Sequence, residues 1–277
     1  MEKDVSMPWS GEHLKWLINT NKKITTACGK KVDVYKFNYD LMDEPTMSAW
    51  ARHFRNHYCD DSTIDMIKSP DLSRSEYLLT LKFPSGKKKP GPSIRAGDFA
   101  EILVADYLHF LRSFYIPKTR YDRKIIANES SKGSDIIGFK QKVSTHERDD
   151  ELIIFEVKAK ASKSKPVNLL QVAINHSIKD EARIADSLNA IKQRLIDRQN
   201  YDEAAIVTRF QLGTDRPYKR IYGAGAVITS DSYDPSLISL SDSSEHPGKD
   251  GLELLVISGP TLMALVHALY KRASDEA

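Results

Sequence analysis

The sequence has little cysteine and no long apolar run, and these two absences exclude several classes of protein. Only Cys28 and Cys59 stand among its 277 residues, so neither a disulfide framework nor a cysteine-based metal site is expected. No apolar stretch approaches the roughly 20 residues that cross a bilayer. Residues 1–4 are polar, unlike the start of an apolar signal peptide. We therefore expect a cytoplasmic protein that spans no membrane.

Motifs for binding nucleotides, zinc or specific DNA bases are also lacking. Without a G-x-x-x-x-G-K-[ST] loop the chain is not expected to hydrolyse nucleoside triphosphates, so any motor must be another protein. Scattered histidines, with no pair at zinc-ligand spacing, predict no zinc site, and they are His57, His109, His146, His176, His246 and His267. Gly223 and Gly225 lie within a strand pattern and lack a third glycine, which indicates close packing rather than a dinucleotide loop. No zinc finger or homeodomain is present to read a base sequence.

Charge is distributed unevenly along the chain, although the net charge is only +3. Basic residues gather between positions 87 and 124 and again shortly after 158, whereas positions 231–253 are acidic. The basic clusters predict a phosphate-binding surface, with an ordinary solvated face as the alternative. The candidate DNA contacts are Lys87, Lys88, Lys89, Lys160, Lys163 and Lys165.

The pattern of elements divides the chain near residue 90. Residues 1–90 predict a small, loop-rich α+β appendage for DNA or partner contacts, with a helix that opens at 43–45 and a strand at 76–83. Residues 91–277 predict a larger domain, within which the acidic, serine-rich stretch 231–250 is expected to be a mobile insertion.

The larger part has a regular order of helices and strands. This order predicts an α/β fold with a mixed β-sheet flanked by helices. The predicted elements are a helix at 94–114, strands at 121–127, 135–139 and 151–159, a helix at 168–198, strands at 204–210, 221–228 and 252–257, and a helix from 260 to about 272.

The tripeptide Glu156-Val157-Lys158 follows the apolar run 152–155 and carries the main chemical signal. Side chains alternate along a strand, so Glu156 and Lys158 project on one face. Such charges are costly on a buried strand unless they pair, bind metal or do chemistry. Asp135 opens another apolar strand upstream. We expect Asp135, Glu156 and the Val157 backbone carbonyl to hold Mg²⁺, which Mn²⁺ can replace, and Lys158 to act at the attacking water.

This constellation resembles the PD-(D/E)xK, or restriction-endonuclease-like, nuclease superfamily. Asp135 matches the first motif position and Glu156-Val157-Lys158 the second, with Ser134 where the superfamily has proline. The resemblance implies a restriction-endonuclease-like core around this site. It also implies a catalytic, metal-binding glutamate on the first helix, matched by Glu101. A polar residue early in the second helix often completes such a site, and Gln171 is the best match, with Asn175 one turn later.

Simpler interpretations stay open for the outlying residues. Asp135 also fits a turn cap after a Gly-Ser pair. Glu101 fits nearly as well as a partly buried acid that pairs with Arg95 or Lys124. Gln171 and Asn175 fit plain polar residues in the first turn of a helix.

More narrowly, residues 99–103, the Gly-Ser-Asp strand and residues 155–159 resemble the HamA nuclease subunit of Hachiman anti-phage systems. This resemblance implies a metal-dependent DNA endonuclease that serves anti-phage defence. It also implies a HamB-like helicase partner that restrains the nuclease. The lack of a base-reading module favours cleavage with little sequence preference. The alternatives are a nuclease fold that binds nucleic acid or a partner without turnover, and a DNA repair or recombination nuclease.

Overall fold

Six strands form one mixed sheet in the part of the chain that the computed structural model describes, residues 8–142 and 147–277. The observation made on residues 1–4 lies outside this part. The strands are β1 (Leu17–Thr25), β2 (Lys31–Phe37), β3 (Ile136–Lys140), β4 (Glu151–Lys160), β5 (Lys219–Thr229) and β6 (Leu252–Gly259). Their order is β1-β2-β6-β5-β4-β3, with β2, β6, β5 and β4 parallel and the two outer strands antiparallel to their neighbours. The predicted α/β class with a mixed sheet is confirmed.

Helices cover both faces of this sheet. They are α1 (Glu44–Asn56), α2 (Ile64–Ile67), α3 (Arg74–Tyr77), α4 (Gly91–Asp106), α5 (Leu169–Ser177), α6 (Asp180–Asp197), α7 (Tyr201–Gln211), α8 (Pro235–Ser239) and α9 (Leu262–Asp275). Helix α1 begins as predicted, because the Asp43 carboxylate caps it by accepting a hydrogen bond from the Thr46 amide.

The alternation of β4 side chains separates two hydrophobic cores. Ile153, Phe155 and Val157 face a core shared with α1, α4 and α9. Leu152 and Ile154 face the other core, built with α5, α6 and α7. Since Glu156 and Lys158 continue the second series, their side chains lie on the α5 face of the sheet.

The N-terminal part is joined to the rest through the sheet. Strand β2 pairs with β6, so that Val32 lies opposite Leu254, and α1 packs against α9. Trp50 of α1 is buried in the same core as Phe155 of β4. The division near residue 90 stays a prediction, and these contacts show where the two parts meet.

Two predicted strands are wrong because helix-capping signals prevail over their apolar patterns. Residues 76–83 form the end of α3 and a π-helical turn. There Ser73 and Glu76 make a capping box, each side chain bonding the other's backbone amide. Residues 204–210 lie in α7, which has two acids in its first turn and buries Ala204, Val207 and Phe210 at helical spacing.

The segment between α4 and β3 also differs from the prediction. Residues 121–127 form turns rather than a strand, because Tyr121 and Lys124 bind acids of α4. Tyr115 instead makes an isolated antiparallel bridge to Phe139 of β3. The single helix predicted at 168–198 is interrupted, since α5 ends at Ser177 and α6 begins at Asp180.

Glycines of β5 make room for an aromatic ring of β4, as the sequence predicted. A Cβ placed on Gly223 would lie 2.0 Å from Cδ2 of Phe155, and one on Gly225 would lie 2.8 Å from its Cε1. The Phe155 ring therefore rests directly on the β5 backbone. This packing fixes the strand that carries Glu156 against its neighbour.

We expect Gly223→Ala to lower the free energy of unfolding by about 1–3 kcal/mol, because the added methyl forces Phe155 out of its position. The matched control is Gly97→Ala in α4, where an added Cβ meets nothing within 4 Å. That change should instead stabilise the helix by about 0.5–1 kcal/mol. Urea denaturation of both variants measures the difference, and equal midpoints would contradict the packing argument.

Candidate active site

The candidate site lies at the carboxyl end of β4, beside the start of β3. These strands are antiparallel, and Ile136 pairs with Phe155, so Asp135 and Glu156 come next in register. The Val157 amide donates a hydrogen bond to Oδ2 of Asp135 over 3.0 Å. The two halves of the predicted motif are therefore directly connected, and Asp135 does more than cap its own turn.

Glu156 is a buried carboxyl group, 3% exposed, with a lysine and a histidine beside it. The Lys158 ammonium donates to its Oε1 and also approaches the Val157 carbonyl oxygen at 3.5 Å. Nδ1 of His176, on α5, lies 3.6 Å from the same Oε1. Burial, followed by the charge of Asp135, raises the pKa of Glu156. A cation that entered here would favour the ionised carboxylate.

Arg120 holds two of the predicted acids together. Its Nε donates to Oε2 of Glu101 over 2.7 Å, and a terminal nitrogen donates to Oδ1 of Asp135 over 2.8 Å. The Tyr121 hydroxyl donates to the same Glu101 oxygen over 2.6 Å. Burial raises the pKa of Glu101 despite this guanidinium. Glu101 thus pairs with neither of the expected partners, and Lys124 binds Asp98 instead.

Asp180, at the start of α6, is a further acid that the sequence did not indicate. It is fully buried, and neither carboxylate oxygen has a hydrogen-bond partner of standard geometry among the described residues. Burial raises its pKa to about 6, the Ser134 hydroxyl acts in the opposite direction, and the charge of Asp135 adds to the rise. The sequence predicted one helix over 168–198, in which Asp180 would be an ordinary mid-helix residue. The break between α5 and α6 instead places Asp180 at the start of a helix.

The charge balance of this cluster fits a bound divalent cation. Four carboxylates, Glu101, Asp135, Glu156 and Asp180, share the Arg120 guanidinium and the Lys158 ammonium. Among the described residues no ion pair joins the buried Asp180 carboxylate to a cationic side chain, and oxygen ligands of this kind suit Mg²⁺. Arg120 donates to Asp135 as well as to Glu101, so the ligand set of Asp135, Glu156, Glu101 and the Val157 carbonyl stays a prediction.

Gln171 and Asn175 are not drawn into this cluster. The Gln171 amide nitrogen donates to Oδ1 of Asn175 and to the Asp242 carbonyl, and its oxygen accepts from the Asp242 amide. Within the described residues no hydrogen bond joins either side chain to Asp135, Glu156 or Lys158. The pair binds part of the acidic segment to α5, while the predicted mobility of that segment stays a prediction.

The predicted basic surface is divided between free and paired cations. Exposed lysines remain before α4 and after β4, and they are Lys87, Lys88, Lys89, Lys163 and Lys165, with Lys160 partly exposed. Lys160 donates to the Lys165 carbonyl, and Lys163 lies 3.8 Å from Asp231. In contrast, Arg112, Arg120, Arg123 and Lys124 are engaged by acids. The run at 112–124 is therefore largely structural.

We expect Asp180→Asn to stabilise the metal-free protein at pH 8 but hardly at pH 4. The folded-state pKa of Asp180 is raised from 3.8 to about 6, so the folded state binds its proton more tightly than the unfolded state. The stability that this tighter proton binding contributes is therefore complete below pH 4 and is lost as pH rises through 6. Between pH 4 and pH 8, the free energy of unfolding of the variant should rise relative to that of the wild type by on the order of 2 kcal/mol.

Urea denaturation in the presence of a chelator, repeated over this pH range, measures that difference. The control is Asp202→Asn, an exposed acid in the first turn of α7, which reports the helix-terminus effect alone. A pH-independent difference for Asp180→Asn would contradict the assignment of a buried, uncompensated carboxylate.

We expect Arg120→Gln to make the protein less stable but more responsive to Mg²⁺. Removing the guanidinium leaves Glu101 and Asp135 unpaired, which should cost about 3–5 kcal/mol in the metal-free state. Mg²⁺ should then raise the unfolding temperature more than in wild type, because no internal cation competes for Asp135. The control is Arg123→Gln, whose exposed pair with Asp197 should contribute about 0–1 kcal/mol. Equal Mg²⁺ responses in all three proteins would exclude this competition.

Comparison with known proteins gives one clear relationship. Among the described residues no helix is both long and apolar enough to pass through a bilayer. No curated protein matches the sequence. The family model of HamA matches residues 12–273, nearly the whole length of the chain. The chain therefore belongs to the HamA family of anti-phage defence proteins.

Proposed function

We propose that the protein is a Mg²⁺-dependent DNA endonuclease of little sequence specificity that acts as an effector of anti-phage defence. One observation carries this proposal: Asp135, Glu156 and Lys158 converge at one end of the sheet, where the Val157 amide joins Asp135 to the strand of the other two. A chance Glu-x-Lys on a strand would not bring a third, distant acid into the same hydrogen-bonded unit.

The metal ligands in this mechanism are Asp135, Glu156 and the carbonyl oxygen of Val157. These groups would hold Mg²⁺, and the bound ion would contribute a more acidic water and positive charge beside the scissile phosphate. Mn²⁺ accepts the same oxygen ligands. Glu101 stays with Arg120 and Tyr121 and holds Asp135 in place through the shared guanidinium.

Lys158 contributes an ammonium next to the reacting phosphate. It is tethered to Glu156 and approaches the Val157 carbonyl, so its Nζ lies beside both metal-ligand groups. From this position it orients the attacking water and stabilises negative charge that develops in the transition state. Because the ammonium is positioned in advance, little reorganisation is needed when the substrate binds.

The lysines around the site would contact the DNA backbone and would not read its bases. Lys163 and Lys165 are exposed just past the end of β4, and Lys87, Lys88 and Lys89 are exposed before α4. Contacts of this kind bind phosphate regardless of sequence. The proposal of low sequence specificity rests on these contacts and on the lack of a base-reading module.

A partner helicase is the second part of the proposal. The chain has no nucleoside triphosphate-binding loop, so a defence system that unwinds or scans DNA needs a separate motor. A HamB-like helicase would restrain the nuclease until invading or damaged DNA is sensed. Co-purification of the chain with a helicase encoded beside it tests this part.

A binding module without turnover is the alternative that a specific contact favours. Arg120 already neutralises Glu101 and part of Asp135, and an internal guanidinium of this kind can make a metal unnecessary for stability. Such a module would bind DNA or a partner with the same surface. The two proposals differ in whether the site hydrolyses DNA or only binds its ligand.

We expect Lys158→Ala and Glu156→Gln to lower the cleavage rate by about 10²-fold or more, because each removes a group that stabilises the transition state. Linear, circular and single-stranded DNA are incubated with Mg²⁺, with and without the helicase, and a chelator should stop cleavage. The control is Lys22→Ala, an exposed lysine on β1 at the far edge of the sheet.

Two outcomes would count against the assignment. Cleavage that survives Lys158→Ala would show that the site is elsewhere. DNA binding by the wild type without cleavage under any of these conditions would favour the binding module.

A further inference from the structure

The interior between α1 and α4 holds a cluster of ionisable side chains that the nuclease site does not use. His53 and His57 come from the end of α1, Asp106 from the end of α4, and His13 from a 3₁₀ turn before β1. All four are buried, at 5% exposure or less. The prediction of no histidine pair at zinc-ligand spacing is wrong here, because His53 lies four residues before His57.

The ligand atoms of this cluster converge on one point. Nε2 of His53 lies 3.3 Å from Nε2 of His57 and 2.9 Å from Oδ1 of Asp106. One ligand atom from each of these three residues lies within 4.8 Å of the other two. Around a tetrahedral zinc ion with bonds near 2.05 Å, neighbouring ligand atoms are about 3.3 Å apart. The 3.3 Å and 2.9 Å distances from Nε2 of His53 are close to this spacing, and the third pair lies within 4.8 Å.

The protons available in the cluster do not satisfy all of its nitrogen atoms. Nδ1 of His53 accepts a hydrogen bond from the Ser10 amide over 3.1 Å, which leaves one proton at Nε2 for both Asp106 and His57. Both ring nitrogens of His13 lack a hydrogen bond of standard geometry among the described residues, although Nε2 lies 3.1 Å from Oδ2 of Asp106. A buried carboxylate surrounded by imidazole nitrogen atoms is a setting that a divalent cation would stabilise.

We propose that Nε2 of His53, Nε2 of His57 and Oδ1 of Asp106 bind a zinc ion. Imidazole and carboxylate ligands of this number suit a divalent transition metal, and zinc forms such sites most readily without redox chemistry. His13 contacts the other oxygen of Asp106 and orients this carboxylate from behind. The ion would fasten the end of α1 to the end of α4, which also carries Glu101.

Zinc binding changes the position of the N-terminal segment. With the metal on Nε2, His53 carries its proton on Nδ1, and the Ser10 amide can no longer donate there. Trp9 is the neighbour that reports this shift, since its ring lies 5.4 Å from the ring of His53 and 5.3 Å from that of His57. The Lys118 ammonium covers the Trp9 ring at 4.4 Å. Zinc should therefore alter tryptophan fluorescence, and Trp9→Phe should reduce that change, while Trp50, stacked on His13 at 4.5 Å, can report the remainder.

The experiment measures zinc per chain and does not depend on nuclease activity. The full-length chain carries Glu156→Gln throughout, so that the nuclease site is weakened as a competing metal site. The protein is stripped with a chelator, given zinc sulfate, passed through gel filtration and analysed by elemental mass spectrometry. We expect one zinc per chain, a rise of several degrees in the unfolding temperature, and a fluorescence change.

Variants separate zinc ligation from folding. His57→Gln and Asp106→Asn keep a polar group of similar size, and each should weaken zinc binding at least tenfold while the stripped proteins keep their circular dichroism. The matched control is His267→Gln, a partly exposed histidine of α9, which should bind zinc like the parent. Either a parent protein that retains no zinc, or full zinc retention by His57→Gln, would overturn the proposal. Bound zinc without a Trp9 signal would overturn the coupling to the N-terminal segment.

Discussion

Neutralising buried carboxylates at one end of the sheet is the constraint on which this structure depends. At an effective dielectric constant near 20, two charges 4 Å apart interact by about 4 kcal/mol, so unpaired acids here would oppose folding. Arg120 neutralises Glu101 of α4 and Asp135 together. Lys158 of β4 neutralises Glu156 of the same strand. The path of the chain between α4 and β3 follows from the need to deliver Arg120 to this point.

The same arrangement places the reactive groups on rigid elements. β4 lies inside the sheet, between β3 and β5, and its Phe155 ring rests on the glycines of β5. Helix α5 covers the opposite face and brings His176 near Glu156. A carboxylate and an ammonium held in this way keep their geometry without help from a substrate, as a preorganised site requires.

Local signals in the sequence were sufficient for part of this site. The alternation around Glu156 and Lys158 and the acid that opens β3 are short-range patterns, and the structure keeps them. The strands predicted at 76–83 and 204–210 are wrong because a short apolar run fits the periodicity of a strand as well as that of a helix. The capping residues favoured the helix in both segments. Arg120 and Asp180 could not be identified, since their roles depend on partners brought together only by folding. The acids that bind most of the basic side chains at 112–124 are likewise brought to them only by folding.

The strand order also constrains when the site can form during synthesis. β6 comes last along the chain but lies between β2 and β5, with Val32 opposite Leu254. Until the ribosome has released β6, the hairpin β1-β2 has no sheet to join and β5 presents an open edge. Parallel pairings this distant in sequence form slowly. A nascent chain therefore displays the Glu-Val-Lys strand only in an incomplete sheet until β6 has been synthesised.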